Sequence, residues 1–127
     1  MKLKLEGEQK LLRIFIGEQD KWKGLPLHEA IVNQAREMGM AGATVLKGFL
    51  GFGCNAHIHM AKFLDLSEDL PIIIEIVDSE ERIKKILPHL DEMVQDGLVT
   101  LEKVHVIIYR ANSKDSRARK SSGNAGS

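Results

Sequence analysis

Cysteine is almost absent from this sequence, since Cys54 is the only one among 127 residues. An intrachain disulfide is therefore impossible, and a reducing, cytoplasmic setting is expected. An excess of one charge is also lacking, because 18 Lys and Arg residues balance 18 Asp and Glu residues. This balance does not indicate nucleic acid or an acidic membrane surface as a bulk partner.

Long hydrophobic runs are missing as well. None approaches the roughly 18 residues that a membrane-spanning helix needs, and the first ten residues, MKLKLEGEQK, lack the apolar core of a signal peptide. Hydrophobic residues nevertheless make up 43% of the chain, so we expect one globular domain over residues 1–110. Residues 111–127 are small and polar, and we expect this tail to be disordered.

Recognisable catalytic arrangements are not found. The sequence has no nucleophile elbow followed by Asp and His, and Cys54 lacks an activating context. The adjacent pairs Glu80-Glu81 and Asp91-Glu92 fall on a predicted helix, where neighbouring side chains point in different directions. We therefore expect a protein that is not an enzyme.

Hydrophobic periodicity predicts four strands and two helices. Alternating patterns place strands over residues 10–16, 43–50 and 70–77, and a fourth strand within 99–109. The order βαββαβ predicts an α+β, ferredoxin-like fold, in which an antiparallel sheet carries two helices on one face.

Local signals set the ends of the two predicted helices. The first begins at Pro26 and ends before Gly39, which suits a left-handed residue after a helix. The second begins with Asp78 as its cap and Glu81 as the capping-box partner. Pro88 is expected to kink this helix or split it in two.

The sheet face away from the helices combines apolar and polar side chains. Its predicted members are Leu11, Phe15, Ile73, Val77 and Ile107, together with Arg13, Glu75 and His105. Monomers rarely expose large contiguous apolar patches. We therefore expect this face to pack against another copy of the chain, with Arg13 and Glu75 as a candidate pair.

The most distinctive stretch is Gly42–Gly53, GATVLKGFLGFG, in which a strand leads into glycines spaced G-x-x-G-x-G. Glycine lets backbone N–H groups approach a ligand closely, so such a run can form an anion nest, with Lys47 supplying positive charge. The glycine order is not the dinucleotide-binding fingerprint. A strand end that bulges and turns is the alternative interpretation.

Residues 51–69 form a long connection without a clean hydrophobic period, and such loops in small domains are often functional. Cys54, His57 and His59 lie within it as C-x-x-H-x-H, and thiolate and imidazole are good ligands for zinc or copper. A metal-binding trimeric protein that uses these three residues is therefore an alternative hypothesis. His59 alone is a candidate for binding phosphate, since it follows the glycine run.

Five segments in order carry a family resemblance: GMAGATVLKGFLGFG, IH at 58–59, LSEDLP at 66–71, EIVDSEERI at 75–83 and LDEMVQDGLVTLEKV at 90–104. Together they resemble the PII-like signalling protein family, in particular the poorly characterised branch beside the nitrogen-regulatory PII proteins. The resemblance implies a ferredoxin-like subunit, a homotrimer and nucleotide sites in the clefts between subunits. It also implies that residues 51–69 are the mobile T-loop, which contacts a target enzyme or transporter.

Taken residue by residue, the resemblance implies an adenine pocket. Gly39 and Gly42 match the PII Gly-x-x-Gly turn, Thr44 matches a threonine near adenine, and Val77 matches a valine whose backbone contacts adenine. The run Lys47-Gly48-Phe49 matches the base of the T-loop. The nucleotide-binding residues so implied are Gly42, Thr44, Lys47, Gly48, Gly51, Phe52, Gly53, Val77 and Gly97.

The phosphate-binding cations of PII proteins lack counterparts here. The PII run Gly-Asp-Gly-Lys is reduced to Asp96-Gly97 followed by Leu98, and Val106 and Ile108 lie near the places of two arginines. Each lost cation removes about 1.5–3 kcal/mol of charge-assisted contact. The expected ligand is an adenine nucleotide, ADP or ATP, and a diphosphate or monophosphate is as plausible as a triphosphate. The sequence thus indicates a cytoplasmic regulatory trimer, and an interaction module without a ligand is a further hypothesis.

Overall fold

The computed structural model describes residues 5–53, 57–60 and 69–112. The elements along these residues are β1 (Gly7–Gly17), β2 (Lys21–Trp22), β3 (Leu25–Pro26), α1 (Leu27–Glu37), β4 (Thr44–Lys47), β5 (Leu50–Phe52), β6 (Ile58–Met60), β7 (Pro71–Asp78), α2 (Glu80–Met93) and β8 (Leu98–Val106). Four strands form one antiparallel sheet in the order β4-β7-β1-β8. With α1 and α2, this sheet confirms the predicted ferredoxin-like fold.

The core lies between the helices and the two central strands. Alternate residues of β1 and β7 pair across the sheet and are buried: Leu12 with Ile76, Ile14 with Ile74, and Ile16 with Ile72. They pack against the apolar stripes of α1 and α2 in one cluster. Full burial of each such side chain contributes about 1.5–3 kcal/mol, so this alternation fixes which face of the sheet meets the helices.

Helix α1 follows its sequence signals. Pro26 occupies the N-cap position, and Leu27, Ala30, Ile31 and Ala35 form the buried stripe. Gly39, just after the C-cap Met38, has a φ of 73°. This left-handed conformation is the reason that glycine suits the end of the helix.

Helix α2 differs from its prediction at two points. Its N-cap is Ser79, whose side chain accepts a hydrogen bond from the Arg82 N–H at 3.3 Å, so the assignment of Asp78 as the cap was wrong. The helix is continuous through Pro88, so of the expected kink or split, the split was wrong. Buried residues before and after Pro88, such as Ile86 and Leu90, hold both parts against the sheet.

Strand boundaries differ from the predictions mainly at the sheet edges. The predicted strand 43–50 stops at Lys47, and Leu50 begins β5, which pairs with β6 inside the predicted loop 51–69. The hairpin of β2 and β3 was not predicted; Lys23 and Gly24 both have positive φ at its turn, as tight hairpins require. Cys54 and residues 113–127, which include most of the predicted tail, lie outside the described residues.

The open face of the sheet, away from the helices, is arranged in rows across the strands. Leu98, Phe15, Ile73 and Leu46 form an apolar row, and Thr100, Arg13, Glu75 and Thr44 form the polar row beside it. The predicted Arg13–Glu75 pair is confirmed, with an Nε–Oε2 distance of 2.9 Å.

Two residues expected on the open face lie elsewhere. Strand β8 ends at Val106, so Ile107 follows the sheet. His105 pairs with Glu8 on β1. Glu8 is four residues from Leu12, so both lie on the side of the strand that the helices cover. The prediction for His105 failed because the wrong alternating set of β8 was assigned to the open face. Val104 and Val106 pair with Gln9 and Gly7, on the same side of β1 as Arg13. No helix in the described part of the chain is long and apolar enough to cross a membrane.

Candidate functional site

The glycine run lies against the start of β7. The Gly48 N–H donates a hydrogen bond to the Pro71 carbonyl at 2.8 Å. A Cβ atom at Gly48 would lie 2.9 Å from Pro71 Cγ, and one at Gly51 would lie 3.2 Å from the same atom. A side chain at Gly48 would therefore force Pro71 to shift, and one at Gly51 would be tightly packed, whereas a Cβ at Gly53 would meet nothing within 4 Å.

The turn at Asp96-Gly97 leads into β8 and therefore approaches β1 from the edge opposite to β7. A Cβ atom at Gly97 would lie 2.5 Å from the Phe15 carbonyl oxygen, which is backbone and cannot move aside easily. Leu98 then pairs with Phe15, and Phe15 pairs with Ile73 on β7. This contact brings the turn to the same end of the sheet as the glycine run.

A cavity of about 580 Å³ lies at that end, within the usual size range of small-molecule sites. Five of the nine predicted nucleotide-binding residues line it, and we call them the cavity group: Gly48, Gly51, Phe52, Gly53 and Gly97. The other lining residues are Phe15, Ile16, Gly17, Asp20, Leu50, His59, Asp69, Pro71, Ile73, Asp96 and Leu98. A smaller cavity of about 200 Å³ shares Asp20 and Asp96 with it.

The charged side chains that line the cavity are carboxylates. Asp20 accepts a hydrogen bond from the Gly17 N–H at 2.9 Å, and Asp69 accepts one from the Gln19 N–H at 2.7 Å. Asp96 is the third carboxylate, and among the described residues no Lys or Arg side chain joins the lining. The described part of the lining therefore combines backbone polar groups with carboxylate side chains.

Lys47 does not line this cavity. Its Nζ lies 2.7 Å from Glu18 Oε2, so its positive charge is paired within the chain. Lys47 is aligned with the buried Ile72, on the helix side of the sheet. Lys47, which was expected to supply positive charge to the glycine run, instead forms an ion pair with Glu18.

Gly42, Thr44 and Val77 lie at the opposite end of β7, and we call them the turn group. Thr44 pairs with Glu75, and extending this antiparallel register places Gly42 opposite Val77. Val77 pairs with Leu11, four residues along β1 from Phe15 at the cavity. At about 3.3 Å per residue, the two groups are about 13 Å apart along the strand, and the polar row containing Arg13 lies between them.

The predicted metal ligands are only partly described. His57 and His59 make an edge-to-face ring contact with centroids 4.7 Å apart, and Cys54 falls outside the described residues. Within the described ranges, no group of three or more His, Cys, Asp or Glu side chains could hold a metal ion. His59, in contrast, lines the cavity, and its role in binding phosphate stays a prediction.

The residues that sequence reasoning missed are the cavity carboxylates Asp20 and Asp69 and the packing partner Pro71. Asp20 had no predicted role, Asp69 lies at the end of the long connection 51–69, and Pro71 lies in the predicted strand 70–77. A Leu-Pro pair that opens a strand was the one available signal, and it did not reveal what Pro71 contacts.

Solved structures define the class of this fold as PII-like. CPII from Thiomonas intermedia, solved with ADP and bicarbonate, has a TM-score of 0.60 at 20% identity, over 78% of this chain and 88% of that one. A PII-like signaling protein from Thermus thermophilus has a TM-score of 0.59 at 20% identity, over 82% and 94%.

Sequence comparison then gives the family. The profile of DUF190, described as "Uncharacterized ACR", matches residues 9–106. A UPF0166 protein of Aquifex aeolicus is 39% identical over 100 residues, covering 79% of this chain and 94% of the relative. A UPF0166 protein of Methanocaldococcus jannaschii is 39% identical over 98 residues, covering 76% and 90%. The chain belongs to the DUF190 family, and the predicted resemblance to an uncharacterised PII-like branch is confirmed.

Proposed function

We propose that this protein is a PII-like regulatory protein, not an enzyme, that binds an adenine nucleotide between copies of its chain in a cytoplasmic homotrimer. The bound nucleotide would set how the segment 51–69 contacts a target protein. The observation that carries the proposal is the cavity lined by glycine backbone at Gly48, Gly51, Gly53 and Gly97. The fold is that of CPII, which was solved with ADP.

The separation of the two residue groups supports a site shared between copies. A ligand that contacted both groups of one chain would have to lie across the row containing Arg13 and Glu75. If the cavity group of one copy faces the turn group of the next, all eight residues surround one ligand without that obstacle. Such head-to-tail contacts repeat around a closed ring, as a trimer requires.

Exposed apolar side chains support association of this kind. On β5 and β6, Phe52 is 70% exposed and Ile58 is 61% exposed, and Leu46 and Leu98 flank the open face of the sheet. Large apolar side chains clustered at a surface usually mark interaction sites. Packing against further copies would remove this area from water at about 25 cal/mol per Å².

The carboxylates of the cavity affect how many phosphate groups the bound nucleotide carries. Each added phosphate brings negative charge towards Asp20 and Asp69, which disfavours binding unless a cation accompanies it. We therefore propose that AMP and ADP bind more tightly than ATP when no divalent cation is present. Magnesium would narrow this difference, because it neutralises phosphate charge.

Calorimetric titration with AMP, ADP and ATP, each with and without Mg²⁺, tests the proposal. The variant Gly53→Glu projects a carboxylate from an open position of the cavity lining, and we expect it to weaken ADP binding by about tenfold or more. His89→Glu adds the same charge at an exposed position of α2, and it should bind as the wild type does. Wild-type protein that binds none of the nucleotides at millimolar concentration would overturn the proposed function.

A further inference from the structure

Asp78 is a fully buried carboxylate, with 0% of its surface exposed, and it is the one charged residue buried to this degree in the described part of the chain. Removing a carboxylate from water is costly unless hydrogen bonds replace its hydration. The role predicted for it, capping α2, is taken by Ser79. The fold therefore retains a buried charge for which helix capping gives no account.

The hydrogen bonds of Asp78 join three elements. Its Oδ2 accepts from the Ala41 N–H at 2.8 Å, and its Oδ1 accepts from the Ser79 N–H at 2.7 Å. Arg82 Nη1 lies 3.4 Å from Oδ1, one helical turn into α2. One carboxylate thus connects the end of β7, the start of α2 and the segment that leads into β4.

These bonds lie beside the turn group. Val77 immediately precedes Asp78, and Gly42 immediately follows Ala41. The pairing of β4 with β7 ends at Thr44. Beyond that point, the Asp78–Ala41 hydrogen bond fastens the turn that contains Gly42 to the end of β7 that contains Val77.

We propose that Asp78 is a positioning residue for base recognition: its carboxylate fixes the backbone of Gly42 relative to that of Val77, and so sets the shape of the adenine-contacting surface. Asp78 itself is buried beneath that surface and does not touch the ligand. Recognition by backbone groups depends on their fixed separation, because a binding site loses selectivity when its supporting residues are loosened. The inference rests on the proposed function and deepens it.

The variant Asp78→Asn tests this role. In the wild type, both carboxylate oxygens accept from backbone N–H groups, those of Ala41 and Ser79. In asparagine only Oδ1 accepts, so one of these two N–H groups would face the NH₂ group, which is itself a donor. We expect ADP affinity to fall by about tenfold. The preference for ADP over GDP should narrow by a similar factor, because GDP gains nothing from the adenine-shaped surface.

Ser79→Ala is the matched control. It removes the side-chain cap of α2 but retains the Asp78–Ala41 bond, so it should destabilise the fold without changing the ADP-to-GDP ratio. If Asp78 had a purely structural role, Asp78→Asn and Ser79→Ala would both keep the wild-type ratio of ADP to GDP affinity. That result would overturn the inference.

Amide hydrogen exchange of the wild type covers the case in which Asp78→Asn does not fold. The Ala41 N–H should be protected, and ADP should slow its exchange further. An Ala41 N–H that exchanges at the rate of an unfolded chain, with or without ADP, contradicts the inference. Wild-type protein that binds ADP while failing this test would leave the proposed function intact, whereas an absence of nucleotide binding removes both.

Discussion

Gly97 is the glycine whose surroundings leave the least room for a side chain. A Cβ atom there would lie 2.5 Å from the Phe15 carbonyl oxygen and 3.2 Å from side-chain atoms of Ile16 and Val94. Contacts to backbone and to packed side chains cannot relax cheaply, so the turn at residues 96–97 can approach β1 only without a side chain. The cavity depends on this approach because Gly97 and Phe15 both line it.

Gly97→Ala should therefore destabilise the protein by about 2 kcal/mol, since overpacking typically costs 1–3 kcal/mol. Gly53→Ala is the control, because its added Cβ meets nothing within 4 Å, and its effect should stay within about 0.5 kcal/mol. Urea denaturation of both variants measures the difference. Equal stabilities would show that the turn does not lie against β1 as described.

Sequence reasoning selected several glycines that lie at close approaches in the fold, but it did not identify the contacts at those approaches. The spacing of Gly48 and Gly51 indicated close approach to a ligand, and their nearest constraint is Pro71, which is distant in the chain. Lys47 was expected to supply charge to the nest, but its Nζ is paired with Glu18. Such contacts depend on how loops return to the sheet, which local sequence does not specify.

The open face of the sheet is the element on which the proposed association depends most. Arg13 donates from Nε to Glu75 at 2.9 Å and from Nη1 to Glu102 at 2.7 Å, which joins β7, β1 and β8 across that face. The hydrogen bond to Glu75 raises the pKa of Arg13, and the nearby Glu102 carboxylate raises it further. The guanidinium therefore remains charged beside two carboxylates on a face that we propose is covered by other copies.

Arg13→Glu would bring three carboxylates together on that face. Like charges at a covered interface cost on the order of several kcal/mol, so we expect the mass measured by light scattering to fall from that of a trimer to that of a monomer. Lys103→Glu makes the same charge change on β8 at an exposed position aligned with Lys10, and its mass should not change. An Arg13→Glu protein with wild-type mass would contradict packing through the open face.

The main elements were predictable because periodicity in this chain is strong. The buried side of the sheet is determined by alternate apolar residues on β1, namely Leu12, Ile14 and Ile16, and by the residues of β7 that pair with them. The hairpin of β2 and β3 was missed, since two-residue strands carry no period and depend on the turn at Lys23-Gly24. Asp78 was predicted as the N-cap, but the N-cap is Ser79. Asp and Ser have similar capping preferences, so only tertiary contacts decide which of two adjacent residues caps the helix.

At the scale of the whole molecule, the predicted site residues fall at two ends of one sheet. The cavity group surrounds the cavity, while the turn group lies about 13 Å away beyond the Arg13 row. The sequence indicated both groups but could not give their separation, which depends on the register of β4, β7 and β1. This separation is the physical basis for our proposal that one ligand is held between two copies.

Mixing two defective variants tests this central claim most directly. Gly53→Glu blocks the cavity group, and Gly42→Glu blocks the turn group at a position where an added Cβ meets nothing within 4 Å. At an ADP concentration that saturates the wild type but lies well below the weakened Kd of the variants, each homogeneous variant should show little binding. The two proteins are then unfolded and refolded together so that their chains assemble at random, and ADP sites are counted by calorimetry.

When the two variants are mixed in equal amounts, the mixture should recover about one quarter of the wild-type sites. An intact site in a head-to-tail ring needs a Gly42→Glu chain to supply the cavity and a Gly53→Glu neighbour to supply the turn. If one chain supplied both groups to the same ligand, no chain in the mixture would be intact. A mixture that recovers no binding, although co-assembly is verified by mass, would therefore contradict the account.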